Sequence, residues 1–595
     1  MHAYRQVWKK RIAETLRSLA TERGVEPGLI EETNVLVERP PRPELGDLGF
    51  PMFPFAKVFR NAPAQIAEAL VERLVADGVA ASASQADTAE GDRVQPAGPY
   101  VNVHIDRAEY ARSVIQAVED EGEAYGHGES RAGEQVMVEF SAPNTNKPLH
   151  LGHLRNDAIG ESVSRIVEAS GASVRKVNLI NDRGIHICKS MLAYTEFGEG
   201  ATPESTGEKP DKFVGDFYVR YADWAKQDSD AERRAQNMLQ AWEQGDAETL
   251  ELWKRMNEWA VEGIQQTYRR TGISFDEIYY ESQTYGAGRE EVRAGLERGV
   301  FYRDESGTVW VDLEDVDLDK KVLLRADGTS LYLTQDIGTA IRRYEDWPFD
   351  KLVYVVASEQ RYHFQVLFHV LSRLGFEWAD NLYHLAYGMV NLPEGKMKSR
   401  EGTVVDADDL IDQLSELARG EIRDKQRESE VDDIDATAEA IAIGALHYYL
   451  LAVNPMKDIV FDPAKSLSFT GNTGPYLQYT GARIRSIVRK ATDGAPDAAE
   501  VDVSALDSQD DWEIVKLLGE FPARVAEASE ELNPSLVTAY LFELAKSFSK
   551  YYHDYPILKA PTPEARDARL SLAISTAQVL KNGFRLINIP FLESM

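Results

Sequence analysis

The tetrapeptide His150-Leu151-Gly152-His153 narrows the possible folds of this chain more than any other segment. It follows an apolar run, Val136 to Phe140, and opens a stretch that reads as a helix starting near Leu151. A strand, a loop and a helix in this order place backbone N–H groups at a helix N-terminus, where the helix dipole stabilises anions. The pattern predicts a phosphate site. On these four residues alone, histidines that merely cap the helix or fill the core are an equally good interpretation.

The residues just before this tetrapeptide favour the phosphate site. Pro143 and Pro148 keep the segment out of a helix, and Lys147 adds a compact positive charge that can face the same anion. We therefore expect a loop built to hold phosphate oxygens.

A second segment carries the matching chemistry. Gly388 to Val390 is followed by Gly395 to Gly402, in which Lys396, Lys398 and Arg400 lie within five positions. A loop of this kind can close over a polyphosphate and neutralise a departing pyrophosphate. Alone it would be read as solvated surface. Together with the histidines it indicates nucleotidyl transfer.

At this point the chain resembles the class I aminoacyl-tRNA synthetases, and specifically the arginyl-tRNA synthetase family. Val138 to Asn144, continuing through Lys147 to Asn156, is similar to the opening of that family's active site, and Gly395 to Gly402 is similar to its second signature loop. Leu331 to Ile337 and Ala357 to Gln360 look like its amino-acid pocket segments. The resemblance runs from Pro40 to Met595.

The resemblance implies a set of arginine-binding residues, which are Glu139, Asn144, Tyr332, Asp336 and Gln360. The chemistry of a guanidinium agrees, because a planar, permanently charged group needs a carboxylate and neighbouring acceptors. Asp336 and Tyr332 would share one face if a helix begins there, which leaves the substrate's ammonium to Glu139 and Asn144. Without the flanking motif, Asp336 would be read as a helix cap or a surface carboxylate.

The resemblance also implies catalytic and ATP-binding residues. The catalytic set is Lys147, His150, His153, Lys396, Lys398 and Arg400, and the ATP-binding set is His150, Gly152, His153, Gly388, Met389, Val390 and Lys396. One position departs from the common class I pattern, because Ser399 stands where many members have a second lysine. Which of these cations contacts pyrophosphate stays open.

The implied activity is the ATP-dependent formation of arginyl-adenylate and the transfer of arginine to the terminal ribose of tRNA(Arg). The expected ligands are ATP, Mg²⁺ carried by ATP, L-arginine and tRNA, without protein-bound zinc, because Cys188 is the only cysteine. The sequence leaves open whether tRNA must bind before the adenylate forms. A cytoplasmic monomer without a membrane contact is expected. Another class I synthetase and a non-catalytic RNA-binding paralogue are the rival interpretations.

The charge of the chain is unusual for an RNA-binding protein. It has 66 Lys+Arg against 98 Asp+Glu, a formal net charge of -32. Such a field repels RNA at low salt, whereas at about 1 M salt the Debye length falls to about 3 Å and distant charges are screened. We therefore hypothesise a halophilic protein.

The length and the change of periodicity along the chain predict several domains. We expect a multidomain α/β protein. Residues 1–125 form an α+β N-terminal domain that contacts tRNA. Residues 126–405 form a Rossmann-type parallel-sheet catalytic core with a helical insertion near 199–255. Residues 406–595 form an all-α helix bundle that binds the anticodon. The RNA roles of the two outer domains come from the resemblance.

The predicted tRNA-binding residues are Asn102, Tyr476, Tyr479, Arg483 and Met595. Tyr551, Tyr552 and Tyr555 could add stacking faces for bases, and Arg485, Arg489 and Lys490 could extend a basic strip along a helix. For any single tyrosine, packing between helices is at least as good an interpretation.

Overall fold

The computed structural model describes residues 1–83, 91–328, 331–393, 405–424, 431–491, 494 and 496–595. The chain forms two compact units. One unit contains Met1–Gly126, Ile484–Arg524 and Glu543–Asn582, and the other contains His127–Arg483, Val525–Phe542 and Gly583–Met595.

The N-terminal part of the first unit is a small antiparallel-rich sheet with helices. Its elements are α1 (His2–Glu22), β1 (Leu48–Pro51), α2 (Ala56–Phe59), α3 (Pro63–Ala76), β2 (Ala81–Ser82), β3 (Arg93–Ala97), β4 (Tyr100–His104) and α4 (Arg107–Glu121). The strands lie in the order β1-β4-β3-β2, with Leu48 opposite Val103. Trp8, Ile12 and Leu16 of α1 are fully buried, because their spacing places them on one helical face.

The second unit begins with alternating strands and helices. The first of these elements are β5 (Gln135–Glu139), α5 (Leu151–Ala169), β6 (Ser173–Ile180), α6 (Ile185–Phe197), α7 (Pro203–Thr206), α8 (Pro210–Trp224), α9 (Ala231–Glu243), α10 (Ala247–Thr271), β7 (Glu277–Tyr280) and α11 (Glu281–Glu297). They are followed by β8 (Tyr302–Arg303), β9 (Val309–Val311), β10 (Lys321–Leu324), α12 (Tyr332–Asp346), β11 (Lys351–Ala357), α13 (Arg361–Arg373), β12 (Leu382–Tyr387) and β13 (Val390–Asn391).

Five of these strands form one parallel sheet in the order β12-β11-β5-β6-β7. Four of the five residues of β5 are buried, as expected for a parallel strand that is covered on both faces. The strand order reverses between β5 and β11, and ligands of such sheets bind outside the carboxyl ends at this point. The loop after β5 and the turn after β11 therefore lie where a ligand site is expected.

The helices between β6 and β7 have an apolar core of their own. Phe213 and Phe217 of α8 pack there with Met191 of α6 and Ala260 of α10. This packing holds α8 rigid, and α8 contributes side chains to the site described below.

Beyond β13 the chain is helical. The elements are α14 (Ala407–Asp424), α15 (Ile434–Leu451), β14 (Ile459–Val460), α16 (Pro463–Ser466), α17 (Gly474–Lys490), α18 (Gln509–Glu530), α19 (Ser535–Asp554) and α20 (Pro563–Leu586). The parallel-sheet core, the α/β N-terminal region and the helical C-terminal region confirm the predicted fold class. Within the described ranges, every helix is too short or too polar to cross a bilayer.

Candidate active site

The chain makes a strained turn directly after β5. Ser141 and Ala142 have φ angles of 75° and 49°, a region that side chains other than glycine rarely adopt. The Ser141 N–H donates to Asn156 Oδ1 at 2.5 Å, and the Ala142 N–H donates to Asn178 Oδ1 at 3.1 Å. The Ser141 hydroxyl lies 2.6 Å from the Tyr268 hydroxyl. Side chains from α5, β6 and α10 thus fix the direction in which the following loop leaves the sheet.

Two histidines cap α5 reciprocally. The Gly152 N–H donates to His150 Nδ1 at 3.0 Å, and the His150 N–H donates to His153 Nδ1 at 3.1 Å. Since both Nδ1 atoms accept hydrogen bonds, each neutral ring carries its proton on Nε2. Burial lowers the pKa of His150 to about 4 and the pKa of His153 well below its usual value. The pair therefore offers two neutral N–H donors at the positive end of a helix dipole.

A cavity of about 370 Å³ opens beside this loop. Its lining includes Asn144, Lys147 and His150 from the loop and Lys212 and Tyr218 from α8. Burial lowers the pKa of Lys147, and no described carboxylate pairs with this residue. Its ammonium is therefore available to an anion in the cavity.

The segment that follows the second predicted loop joins the first loop directly. The Leu151 N–H donates to the Val405 carbonyl at 3.2 Å, and the Ala407 N–H donates to the Leu149 carbonyl at 3.0 Å. Asp406 consequently faces His150 in an antiparallel bridge. The predicted cations Lys396, Lys398 and Arg400 lie outside the described residues. The described chain resumes at Val405, which contacts the histidine loop.

The backbone of the Gly388–Val390 segment is hydrogen-bonded to residues between Pro455 and Asp458. The Gly388 N–H donates to the Pro455 carbonyl at 2.8 Å, and the Met389 N–H donates to Asp458 Oδ1 at 2.7 Å. A Cβ at Gly388 would lie 2.4 Å from the Lys457 backbone, so a larger residue does not fit. Neither of these N–H groups is free for ATP.

Arg155 ties this segment to α5. The side chain is buried, and its guanidinium donates to the carbonyl oxygens of Met389, Pro455 and Lys457 at 3.1, 3.1 and 2.6 Å. Arg155 thereby holds the Gly388–Val390 segment against α5, the helix that begins at the histidine loop.

The predicted arginine pocket is acidic. Helix α12 begins at Tyr332, so Tyr332 and Asp336 share one face, and Tyr332 is 77% exposed. Asp336 Oδ2 lies 2.6 Å from His363 Nε2, and Gln360 is exposed at the end of β11. Asp336 thus contacts the helix that follows the carboxyl end of β11, whereas most of the Tyr332 side chain is exposed.

Glu139 has a resident partner that the sequence did not indicate. One carboxylate oxygen pairs with Arg343, which is 1% exposed, while the other has no hydrogen bond to a described residue. The predicted role of Glu139 as a ligand for the substrate's ammonium is thus limited to that second oxygen.

One acidic residue near the pocket was missed. Glu281 follows the carboxyl end of β7, and it lies close enough to Asp336 for the two negative charges to repel each other. Burial raises the pKa of Glu281 to about 7, opposed by Arg183 and reinforced by Asp182 and Asp336. An acid placed directly after a parallel strand is the sequence signal that would have found it.

Several residues predicted to bind tRNA are buried. Asn102 is 3% exposed on β4, and Met595 is 7% exposed. Tyr551 is fully buried and stacks on Tyr555, with ring centroids 5.0 Å apart. The prediction that Tyr551 supplies a face for a base is wrong, because helix packing already covers its ring. Burial likewise argues against direct RNA contact by the side chains of Asn102 and Met595.

The predicted RNA residues on α17 are partly exposed. Tyr479 accepts a hydrogen bond from Arg483 at 2.9 Å, and the guanidinium lies 4.5 Å from the ring centroid. The ring of Tyr476 packs against Phe542 at 5.9 Å. A base that stacks on Tyr479 would have to share the ring with Arg483.

Three family models match the chain. The catalytic domain of the class I (R) tRNA synthetases matches residues 114–463, the DALR anticodon binding domain matches 477–595, and the arginyl tRNA synthetase N-terminal domain matches 6–105.

Curated relatives match over the full length. An arginine–tRNA ligase from Treponema denticola is 53% identical, with 100% of both chains covered. Another from Treponema pallidum is 51% identical, with 99% of both chains covered. Among solved structures, a Thermus thermophilus arginyl-tRNA synthetase matches with a TM-score of 0.78 and 26% identity, covering 99% of this chain and 100% of that one.

Proposed function

Because the chain belongs to the arginyl-tRNA synthetase family of class I tRNA synthetases and ligates arginine to tRNA, we propose that residues 143–153 and the pocket around Asp336 form its active site. The histidine pair at the start of α5 carries this proposal. Two neutral N–H donors at a helix N-terminus suit a phosphate whose charge grows during the reaction.

In the first step the carboxylate of arginine attacks the α-phosphorus of ATP, an O–P bond forms, and pyrophosphate leaves. In the second step a hydroxyl of the terminal ribose of tRNA attacks the arginyl carbonyl and forms an ester bond, the bond from the carbonyl carbon to the phosphate oxygen breaks, AMP leaves with that electron pair, and the hydroxyl proton is released. Both steps depend on orientation and on charge stabilisation. Lys147, His150 and His153 supply the donors for the α-phosphate, and Lys396, Lys398 and Arg400 follow the pyrophosphate.

The acidic pocket receives arginine. Asp336 pairs with the guanidinium, with Tyr332 and Gln360 beside it, and Asn144 with the second oxygen of Glu139 receives the ammonium. Arg343 neutralises the first oxygen of Glu139, so the pocket does not carry an uncompensated excess of negative charge. An uncharged analogue would lack the charged donors that a guanidinium offers to Asp336 and would be rejected.

ATP lies at the N-terminus of α5, beside Gly152 and the Gly388–Val390 segment. Mg²⁺ arrives with the phosphates of ATP. The tRNA approaches through Tyr476, Tyr479 and Arg483, and the chain acts in the cytoplasm as a monomer.

The test is aminoacylation of total tRNA with each of the twenty amino acids, ATP and Mg²⁺, at about 0.1 M and about 1 M KCl. We expect charging with arginine alone and, if the net charge of -32 reflects a saline setting, faster charging at the higher salt. Charging with another amino acid would refute the pocket assignment. Binding of tRNA without charging at either salt would favour a non-catalytic paralogue, and an activity that is highest at low salt would refute the halophilic hypothesis.

A further inference from the structure

Arg343 is a buried cation at the carboxyl end of β5. It is 1% exposed and pairs with Glu139, the last residue of that strand. Arg343 and Asp336 lie seven residues apart on α12, which places them on one helical face, two turns or about 10.5 Å apart along the axis. One helix therefore carries both the carboxylate proposed to receive the substrate's guanidinium and the cation that holds Glu139.

Two tyrosine rings lie close to the Arg343 guanidinium. Its distance is 5.3 Å from the ring centroid of Tyr279 on β7 and 5.8 Å from that of Tyr354 on β11. Nε and Nη2 of Arg343 have no hydrogen-bond partner among the described residues, so the pairing with Glu139 is the strong polar contact of this cation. Because loss of the pair would leave a desolvated charge, the buried guanidinium holds the Glu139 carboxylate in one orientation.

Stability alone does not explain why two charges are buried here. Well-packed apolar residues of the same volume often stabilise a core as much as a buried ion pair does, or more. The pair does supply an oriented carboxylate. Arg343 takes one oxygen of Glu139, and the other has no hydrogen bond to a described residue, on a side chain that is 8% exposed. That second oxygen is left for a ligand.

The charge of Glu139 also depends on Arg343. Burial raises the pKa of Glu139 and the negative charge of Asp336 adds to the rise, whereas Arg343 opposes both. A protonated carboxyl group has no charge with which to attract an ammonium group. Removal of the guanidinium would therefore weaken both the orientation and the charge of this carboxylate.

We propose that Arg343 is a positioning residue that acts through Glu139 and makes the site select its substrate by the α-ammonium group, separately from the selection of the guanidinium at Asp336. The proposal rests on the proposed function of this pocket. A guanidino acid without an α-ammonium group would meet Asp336 equally well but gain nothing from the second oxygen of Glu139.

The experiment uses exchange of pyrophosphate into ATP in the presence of tRNA. It measures the KM for L-arginine and the inhibition constants of des-amino arginine, which lacks only the α-ammonium group, and of L-citrulline, which lacks only the charge of the guanidinium. We expect the wild type to bind arginine about 10-fold or more tightly than des-amino arginine, since a charge-assisted hydrogen bond is lost. Arg343→Lys keeps a charge but not the planar fork, so this preference should fall about fivefold or more, while the preference over citrulline stays within about threefold of the wild type.

Two further variants separate this role from a structural one. Arg342→Lys is the matched control, because Arg342 is the neighbouring residue, its side chain is 59% exposed and it pairs with Asp346 at 2.9 Å; it should retain both preferences. The double variant Glu139→Gln/Arg343→Met buries no unpaired charge and should fold. It should bind arginine and des-amino arginine within about threefold of each other, since the charge that distinguishes them is gone.

An unchanged preference for arginine over des-amino arginine in Arg343→Lys would overturn the proposal. An equal loss of affinity for all three ligands would also overturn it, because a purely structural role predicts that result. Wild-type preference in the double variant would show that Glu139 does not receive the ammonium group, which is equally contrary to the proposal. A wild type that does not prefer arginine to citrulline would instead refute the proposed pocket at Asp336, while the comparison with des-amino arginine would still test Arg343.

Discussion

Two substitutions of His153 separate its role as a helix cap from its proposed role as a hydrogen-bond donor, because each role belongs to a different ring nitrogen. Nδ1 accepts from the His150 N–H at 3.1 Å and so caps α5, whereas Nε2 carries the proton that we propose donates to phosphate. His153→Asn keeps an acceptor near the position of Nδ1 for the cap, but its shorter side chain places no donor at the position of Nε2. His153→Ala loses both.

The expected magnitudes follow from these contacts. Loss of a donor that acts in the transition state costs about 2.7–4 kcal/mol, which is about 10²–10³-fold in rate, so both variants should slow adenylate formation by this factor. Loss of a helix-capping bond costs about 1 kcal/mol, so only His153→Ala should also lose stability by that amount.

The assay is arginine-dependent exchange of pyrophosphate into ATP in the presence of tRNA, together with denaturant unfolding. His127→Asn, at an exposed position outside the site, is the control and should behave as the wild type. Turnover of His153→Asn within about threefold of the wild type would refute the role of the pair. An acidic decline in the wild type near pH 6.5 that disappears in His153→Asn would also contradict the reasoning, because burial keeps the pKa of His153 well below that value.

Two further variants test the arginine pocket and the ion network behind it. Asp336→Asn removes the charge that pairs with a guanidinium, so the KM for arginine should rise about 10-fold or more while the KM for ATP stays unchanged. The control Asp346→Asn, on the same helix, should change neither KM. An equal loss of affinity for both ligands would indicate a folding defect instead. Arg270→Met leaves Asp408 and Glu439 without the guanidinium that pairs with them at 3.1 and 2.6 Å, so denaturant unfolding of the second unit should show a loss of about 2–3 kcal/mol. Arg255→Met breaks an exposed ion pair and should cost less than about 1 kcal/mol. Equal losses in the two variants would contradict a structural role for the Arg270 network.

Local patterns in the sequence predicted the elements that position the site. The apolar run before Phe140 became β5, α5 begins at Leu151, and α12 begins at Tyr332. Each depends on neighbours within a few positions, so periodicity and capping were sufficient to find it. The convergence of both predicted segments on one sheet edge followed from the topology of parallel strands.

The contacts that were missed join residues far apart in the chain. Glu139 and Arg343 are 204 positions apart, and Asp336 pairs with His363, which the pocket prediction did not include. The positive φ angles of Ser141 and Ala142 were also not predictable, because neither residue is glycine and the partners that hold the turn lie on three other elements. The prediction for Tyr551 was wrong for a related reason, because helical spacing shows which residues share a face but not which face other helices cover.

The first unit is built from segments that lie far apart in the chain, so it can be completed only late in synthesis. Its first segment ends at Gly126, and its next segment begins only at Ile484, about 360 residues later. At about 5–20 residues per second, a ribosome needs roughly 20–70 s to make the intervening chain. Throughout that interval the first segment lacks the helices that complete its unit, whereas the catalytic sheet has all five of its strands as soon as synthesis has passed Tyr387.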